Sequence, residues 1–166
     1  MNIQKIKESR NLIEQRKQQL NQLSNIEHRL EYVDEVNGVE YINDAKASNI
    51  NSSWNSIDCI DKKLVWIVGS SQYERDLHLF SEIDAEKIKA IIILGTNKGG
   101  VEEAFRNRVE LIGTVNTIME AVEHAELISD QGEVVLFSPS CSDFETFKNY
   151  KDSGQQFRKA VREMRL

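Results

Sequence analysis

Four short apolar runs recur along the chain, and each is followed by a glycine or a serine. Continuous Val, Ile and Leu runs without polar alternation are typical of strands that are covered on both faces. The segments between the runs have helical character, so the pattern predicts right-handed βαβ units. The sequence therefore predicts an α/β fold, a Rossmann-like, mostly parallel doubly wound sheet with strands at residues 64–68, 90–94, 109–112 and 134–137.

A helix is predicted at the N-terminal end of the chain. Residues 3–23 contain no glycine or proline and are rich in Gln, Lys, Arg and Glu, a composition that favours a helix. Ile6, Ile13 and Leu20 follow one another at heptad spacing. Polar residues interrupt the face between them, so a surface helix or a linker is favoured over a stable coiled coil.

Local motifs predict a hairpin and two helix starts. Asn37-Gly38 lies between two β-rich runs, and this pair favours a tight antiparallel turn because both residues tolerate a positive φ. We expect this hairpin to form an antiparallel edge of the sheet. Residues 117–120 and 142–145 match the capping box, in which side chains satisfy free N–H groups at a helix start.

Composition narrows the functional classes. The chain has 166 residues, a net charge of −6 and two cysteines, Cys59 and Cys141. The acidic balance argues against nucleic acid or an anionic membrane as a partner. No apolar stretch approaches the length of a membrane span, and the N-terminus lacks a signal-peptide core. Two cysteines form no disulfide framework or metal site, and a reduced cytoplasmic setting fits best.

Common catalytic motifs are missing from the sequence. The glycine-rich segment 95–100 lacks the Gly-Lys-Ser/Thr that places a lysine and a hydroxyl on a phosphate and its magnesium, so a strand-to-helix turn is favoured. His28, His78 and His124 show no metal-ligand spacing, and no GxSxG nucleophile elbow occurs. We therefore expect no metal site and no nucleotide hydrolysis by this chain alone.

Loops at the carboxyl ends of the strands are the candidate sites, because ligands bind there in doubly wound sheets. The candidates are residues 43–49, 69–76, 95–100 and 138–150. The first combines an acid, a base, a hydroxyl and two amides within seven residues. From the residues alone, a binding loop and a solvated turn with an Asx cap both remain open.

Three separated motifs resemble those of the D-glutamate-adding Mur ligases. His28-Arg-Leu-Glu31, residues 37–49 and residues 138–157 correspond to the family motifs HRLE, NGVxxINDSKATN and SPACASFDxFKNYEDRGxxF. The match keeps the family's order over residues 26–164. It implies a domain division into an N-terminal helix or linker, residues 1–25, and a ligase C-terminal domain, residues 26–166.

The resemblance implies a role beside an ATPase. Ligases of this family have a UDP-binding first domain, a central ATPase domain and a Rossmann-like third domain for the incoming amino acid. ATP, with Mg²⁺, activates the carboxylate of UDP-N-acetylmuramoyl-L-alanine, and the amine of D-glutamate attacks the acyl phosphate. This chain resembles the third domain, which closes over the second. Alone, it is therefore expected to bind no cofactor and to be inactive.

Family roles carry over to particular residues by resemblance. Arg29, Asp44 and Lys46 correspond to residues on the nucleotide side of the cleft. Ser48 and Tyr150 correspond to residues that contact the amino acid. Two further motif residues, for which a structural role is favoured, are Asn49 and Asn149.

Other positions depart from the family pattern. Tyr73 replaces the lysine that grips a D-glutamate carboxylate, and Asp143 replaces a serine that hydrogen-bonds the amino acid. Lys151 and Ser153 replace the usual Glu and Arg, and Arg75 is the nearest cation that could compensate. Two hypotheses follow: a ligase third domain, or a degenerate, non-catalytic domain that serves as a binding module. The substituted pocket implies weak or absent D-glutamate binding.

Overall fold

The structure is a computed structural model that describes residues 3–24, 26–70, 77–96, 100–141 and 147–165. Helices and strands alternate along most of the chain. In chain order the elements are α1 (Ile3–Ser24), β1 (Glu31–Val36), β2 (Val39–Asn43), α2 (Ile50–Cys59), β3 (Leu64–Gly69), two 3₁₀ segments (Leu77–Glu82 and Ala85–Lys87), β4 (Ile88–Leu94), α3 (Val101–Phe105), β5 (Leu111–Val115), α4 (Ile118–Ile128), β6 (Val134–Phe137) and α5 (Tyr150–Glu163).

One six-stranded sheet has the order β1-β2-β6-β3-β4-β5. Only β1 is antiparallel, and it joins β2 through the hairpin at Asn37 and Gly38, both of which have positive φ. The other pairs are parallel, with β6 inserted between β2 and β3. The predicted doubly wound sheet and its antiparallel edge are confirmed.

Helices cover both faces of the sheet, because alternate strand residues point to opposite sides. On one face Trp66 packs with Phe80 and Phe105 beneath α2, the first 3₁₀ segment and α3. On the other face α4 and α5 pack on the sheet, and Phe137 stacks on Phe157 with ring centroids 5.2 Å apart. Both layers exclude water from the central strands, which explains the continuous apolar runs.

Two details differ from the sequence prediction. The strand predicted at 109–112 begins two residues later and passes through Gly113 rather than ending before it. It is an edge strand with Leu111, Gly113 and Thr114 exposed, so its pattern is not that of a strand covered on both faces. The described part of the segment between β3 and β4 forms 3₁₀ turns rather than an α-helix.

Side-chain caps fix where the helices begin. The Oδ1 atoms of Asn49 and Asn149 accept hydrogen bonds from the amides of Ser52 and Asp152 in the first turns of α2 and α5, which confirms the structural role favoured for both asparagines. The capping box predicted at 117–120 is present at the start of α4, where Thr117 accepts from the amide of Glu120. The one predicted at 142–145 lies outside the described residues.

Candidate functional site

The carboxyl ends of β2 and β6 lie side by side at the centre of the site. Asn43 is in register with Phe137, and the amide of Asp44 donates to the Phe137 carbonyl at 2.7 Å. The helices that follow these strands, α2 and α5, pack on opposite faces of the sheet. The two loops therefore flank a topological switch point, which is where doubly wound sheets bind their ligands.

A tight turn before β1 packs against the loop after β2. His28 and Leu30 have positive φ values of 64° and 42°, a conformation that side chains other than glycine rarely adopt. Two hydrogen bonds to the loop after β2 hold the turn: the Lys46 amide donates to the His28 carbonyl, and the Leu30 amide donates to Asp44 Oδ1. The turn thereby brings Arg29 next to the loop residues.

His28 is a buried part of this turn, with 1% of its surface exposed. Asn43 Oδ1 accepts from the Ala45 amide, so its Nδ2 must be the atom 2.9 Å from His28 Nδ1. His28 Nδ1 therefore accepts, and the ring proton resides on Nε2, 3.4 Å from Glu27 Oε1. Burial, together with the charge of Arg158, lowers the pKa of His28, which favours this neutral form.

Helix α5 contacts the His28 ring through a glycine. A Cβ at Gly154 would lie 2.1 Å from His28 Nδ1, so only glycine allows the helix to approach the ring this closely. Tyr150, in the first turn of α5, meets the same ring edge-on at 6.1 Å between centroids. The turn that carries Arg29 is therefore fitted between β2 and α5.

Asp44 is the buried acid of the site, with 1% of its surface exposed. Burial raises the pKa of its carboxyl to about 6, against smaller opposing effects of the Ser56 and Ser138 hydroxyls, the Leu30 amide and the charge of Arg29. Near neutral pH the group is therefore mostly ionised, but it titrates much closer to neutrality than an exposed aspartate.

Three buried serine hydroxyls form a chain that ends on Asp44. Ser138 Oγ donates to Asp44 Oδ2 at 2.7 Å, and Ser53 Oγ lies 2.6 Å from Ser138 Oγ. Ser140 Oγ donates in turn to Ser53 Oγ at 2.6 Å. Trp66 Nε1 donates to the Ser138 carbonyl at 2.8 Å and so fixes the first residue of the loop. The chain connects the loops after β2 and β6 through α2.

A cavity of about 160 Å³ opens beside Asp44. The three residues assigned by resemblance to the nucleotide side all line it, although Arg29 lies 15 residues before Asp44 in the chain. Arg29 and Lys46 are exposed, whereas Asp44 forms part of the buried wall. The remaining lining residues come mostly from one side of α2: Leu30, Ala47, Ser52, Asn55, Ser56 and Cys59.

The residues assigned to the amino-acid side are not part of this cavity. Ser48 is exposed just before α2, and Tyr150 packs on His28 with 38% of its surface exposed. The two substituted positions, Tyr73 and Asp143, lie outside the described residues. The structure thus brings together the nucleotide-side set, while the amino-acid side stays a prediction.

Sequence reasoning missed several residues that shape the site. His28 was tested for metal-ligand spacing and named as the first residue of the HRLE motif, but its place as a buried structural residue was not predicted. Ser53 lies in a helix whose sequence gives no sign of a buried hydroxyl. A signal existed for Ser140, which occupies the position of the first alanine in the family motif SPACASFD.

The described residues were compared with the requirements of a metal site and of a membrane span. That part of the chain contains no group of three His, Cys, Asp or Glu side chains arranged to hold a metal ion. None of the helices described there combines the length and apolar character needed to cross a membrane.

Comparison with known proteins identifies the family. The family described as "Mur ligase, glutamate ligase domain" matches residues 28–141, more than half of the chain. The chain belongs to this Mur ligase family. The UDP-N-acetylmuramoylalanine–D-glutamate ligase of Christiangramia forsetii is 40% identical over 139 residues, covering 84% of this chain and 31% of that protein. The ligase of the same name from Bacteroides fragilis is 39% identical over 146 residues, covering 87% and 33%.

Solved structures show the same fold at low sequence identity. The Thermotoga maritima MurF ligase in complex with ADP aligns with a TM-score of 0.52 at 15% identity, over 84% of this chain and 32% of that one. A bifunctional folylpolyglutamate synthase/dihydrofolate synthase from Yersinia pestis, complexed with AMPPNP and Mn, gives 0.54 at 15% identity, over 85% and 32%. The chain thus spans about a third of the length of each of these proteins.

Proposed function

We propose that this chain acts as the third domain of a D-glutamate-adding ligase and presents the cavity beside Asp44 to a nucleotide held by an ATPase domain. The observation that carries the proposal is the convergence of Arg29, Asp44 and Lys46 on one cavity. Support also comes from the ligases that match this chain, whose names state D-glutamate ligation.

The charges of the cavity suit a nucleotide. The Arg29 guanidinium and the Lys46 ammonium make no hydrogen bond or ion pair with other side chains in the described residues, so both are available to an anionic ligand. The Asp44 carboxylate and the hydroxyl and amide groups of Ser52 and Asn55 offer hydrogen-bond partners for a ribose.

The chemical step belongs to the partner domain in this proposal. No metal-binding cluster occurs in the described residues, so Mg²⁺ is assigned to the ATPase domain and to the phosphates that it binds. The ATP supplies an activated phosphoryl group when bound there. This chain orients the nucleotide, covers it and excludes water as it closes over the partner domain.

The nucleotide part of the proposal departs from the expectation that the chain alone binds no cofactor, because it predicts a measurable nucleotide affinity for the isolated chain. ATP or ADP titrated into the ¹⁵N-labelled chain should shift resonances of Arg29, Lys46 and Ser52, and Arg29→Ala should weaken binding about tenfold or more, since a hydrogen bond to a charged group contributes about 1.5–3 kcal/mol. Lys63→Ala is the matched control, because Lys63 is exposed and precedes β3 at the opposite end of the strands. Equal losses from Arg29→Ala and Lys63→Ala would contradict the proposed site.

The alternative function, a degenerate domain that serves as a binding module, is favoured by the substitutions at Tyr73 and Asp143. Tyrosine forfeits a charge-assisted hydrogen bond worth about 1.5–3 kcal/mol. The added carboxylate repels the ligand by about 4 kcal/mol for charges 4 Å apart at an effective dielectric near 20. An affinity of about 1 mM corresponds to only about 4.1 kcal/mol, so the two losses together are enough to remove binding at that level.

Under this alternative, calorimetry should detect no D-glutamate binding by the unaltered chain. The paired reversion Tyr73→Lys with Asp143→Ser should restore more affinity than either change alone, and L-glutamate serves as the control ligand. Micromolar binding by the unaltered chain would rule out a degenerate pocket and favour the ligase hypothesis.

A further inference from the structure

We infer that Ser53 and Ser140 are positioning residues: acting through Ser138, they hold the Asp44 carboxylate in place at the cavity and join that cavity to the loop that follows β6. Neither residue lines the cavity. Both are at least 98% buried, and their hydroxyls bond to each other. The functional meaning of this inference rests on the proposed nucleotide site.

The direction of every hydrogen bond in the chain follows from the single proton that each hydroxyl carries. When Asp44 is ionised it can only accept, so Ser138 uses its proton on Asp44 Oδ2. Ser53 must then donate to Ser138 Oγ, and Ser140 must donate to Ser53 Oγ. All three hydroxyls therefore point their protons toward the carboxylate, and each one strengthens the next.

No competing acceptor breaks this order. The alternative partner of the Ser53 hydroxyl is the Ser138 carbonyl at 3.4 Å, which is farther away than Ser138 Oγ and already accepts from Trp66 Nε1 at 2.8 Å. Ser140 adopts a φ of 63°, an unusual value for a residue other than glycine. Ser140 thus has a strained backbone conformation at the position from which its hydroxyl donates to Ser53 Oγ.

Protonation of Asp44 removes the acceptor that sets the order of the chain. A protonated Asp44 can donate to Ser138, which allows the three hydroxyls to reverse so that Ser140 accepts from Ser53 instead of donating to it. The ionisable groups around the carboxylate are Arg29 and Lys46 at the cavity, Cys59 on α2, and His28 in the adjoining turn. The serines thus couple the charge of Asp44 to the hydroxyl orientations of Ser138 and Ser140, which follow β6.

The test is the titration of Asp44 followed by ¹³C NMR of its carboxyl carbon in the full chain, with Asp44→Asn to assign the signal. Ser138→Ala should raise the Asp44 pKa by about one unit, since it removes the direct donor. Ser53→Ala should raise it by about half a unit. Removal of the Ser140 hydroxyl should raise it by a few tenths, because the effect of each further hydroxyl is transmitted with attenuation.

Two substitutions of Ser140 separate positioning from a role in stability. Ser140→Gly suits the positive φ and should stabilise the backbone, whereas Ser140→Ala keeps the strain; both delete the hydroxyl and should raise the Asp44 pKa equally. Ser129→Ala is the control, because the Ser129 hydroxyl is buried near the end of α4 without a hydrogen-bond partner in the described residues. An Asp44 pKa that is unchanged by Ser53→Ala and by both Ser140 variants overturns the inference.

A second arm keeps this inference distinct from the proposed function. ADP affinity at pH 7 should fall about threefold in Ser140→Gly, because the carboxylate is held less firmly although the fold is intact, and threefold is at the low end of what one hydrogen bond contributes. If the unaltered chain binds no ADP while the Asp44 pKa rises in the graded order, the proposed nucleotide site fails and the positioning role stands. If ADP binds but none of the serine variants changes the Asp44 pKa, the proposed nucleotide site stands and the positioning role fails.

Discussion

Replacing Asp44 with asparagine should stabilise the folded protein by about 3 kcal/mol at neutral pH and change its stability little near pH 4. The folded-state pKa is about 6, compared with an ordinary value of 3.8. The difference corresponds to about 3 kcal/mol, at about 1.36 kcal/mol for each pKa unit. The amide oxygen of asparagine can still accept from the Leu30 amide. Its NH₂ group can donate to Ser138 Oγ, provided that the hydroxyls of Ser138, Ser53 and Ser140 reverse their hydrogen bonds.

The direction of the pH dependence follows from proton linkage. The pKa is raised on folding, so the folded state binds this proton more tightly than the unfolded state. The stability contributed by protonated Asp44 is complete below about pH 4 and is lost as the pH rises through about 6. The unaltered protein should therefore lose stability across this window relative to the Asp44→Asn variant.

Urea denaturation of both proteins between pH 4 and pH 8 measures this effect. Asp58→Asn is the control, since Asp58 is an exposed acid on α2 and a surface substitution changes stability by about 0.5 kcal/mol or less. A constant difference between Asp44→Asn and the unaltered protein across the whole range would contradict a raised Asp44 pKa. The same variant should weaken ADP binding, because an amide oxygen accepts a weaker hydrogen bond from a ribose hydroxyl than a carboxylate does.

Gly154→Ala should destabilise the protein by about 1–3 kcal/mol, the usual cost of overpacking, although alanine favours helices over glycine by about 1 kcal/mol. The new Cβ would lie 2.1 Å from His28 Nδ1 and 2.7 Å from His28 Cε1. The ring cannot retreat freely, because it is buried and bonded to Asn43. The strain should also displace the turn that carries Arg29 and weaken ADP binding.

A double-mutant cycle isolates this contact. In a His28→Ala background the ring is gone, so Gly154→Ala should become neutral or stabilising, and the two changes should be strongly non-additive. Gly113→Ala is the matched control, because a Cβ at Gly113 meets no atom within 4 Å. Additive effects of the His28 and Gly154 substitutions would show that the ring does not limit the approach of α5.

The sheet could be predicted from the sequence because its central strands are buried on both faces, which leaves continuous apolar runs at 64–68, 90–94 and 134–137. The asparagine caps at Asn49 and Asn149 were also recognisable, since side-chain capping is a local interaction. The start of β5 was placed wrongly because an edge strand need not be apolar throughout, and Gly113 was read as its end.

The site could be predicted only in part. The loop after β2 was expected from its position, and the resemblance linked Arg29 to Asp44 and Lys46. The depth of burial of Asp44 and the chain of serines behind it could not be predicted. Ser53 and Ser140 are 87 residues apart, and nothing local in a serine's sequence context records which distant hydroxyl it will meet.

The insertion of β6 between β2 and β3 has a consequence for how the chain folds. The hairpin of β1 and β2 pairs with the rest of the sheet only through β6, whose partners in β2 lie 94 residues earlier in the chain. Such non-local pairing slows folding, because a long loop must close before the contacts form. During synthesis on the ribosome, the hairpin cannot become part of the same sheet as β3, β4 and β5 until residues 134–137 emerge and pair with both β2 and β3. Any truncation before Val134 should therefore leave the hairpin without a strand that pairs it with β3, rather than a smaller version of the domain.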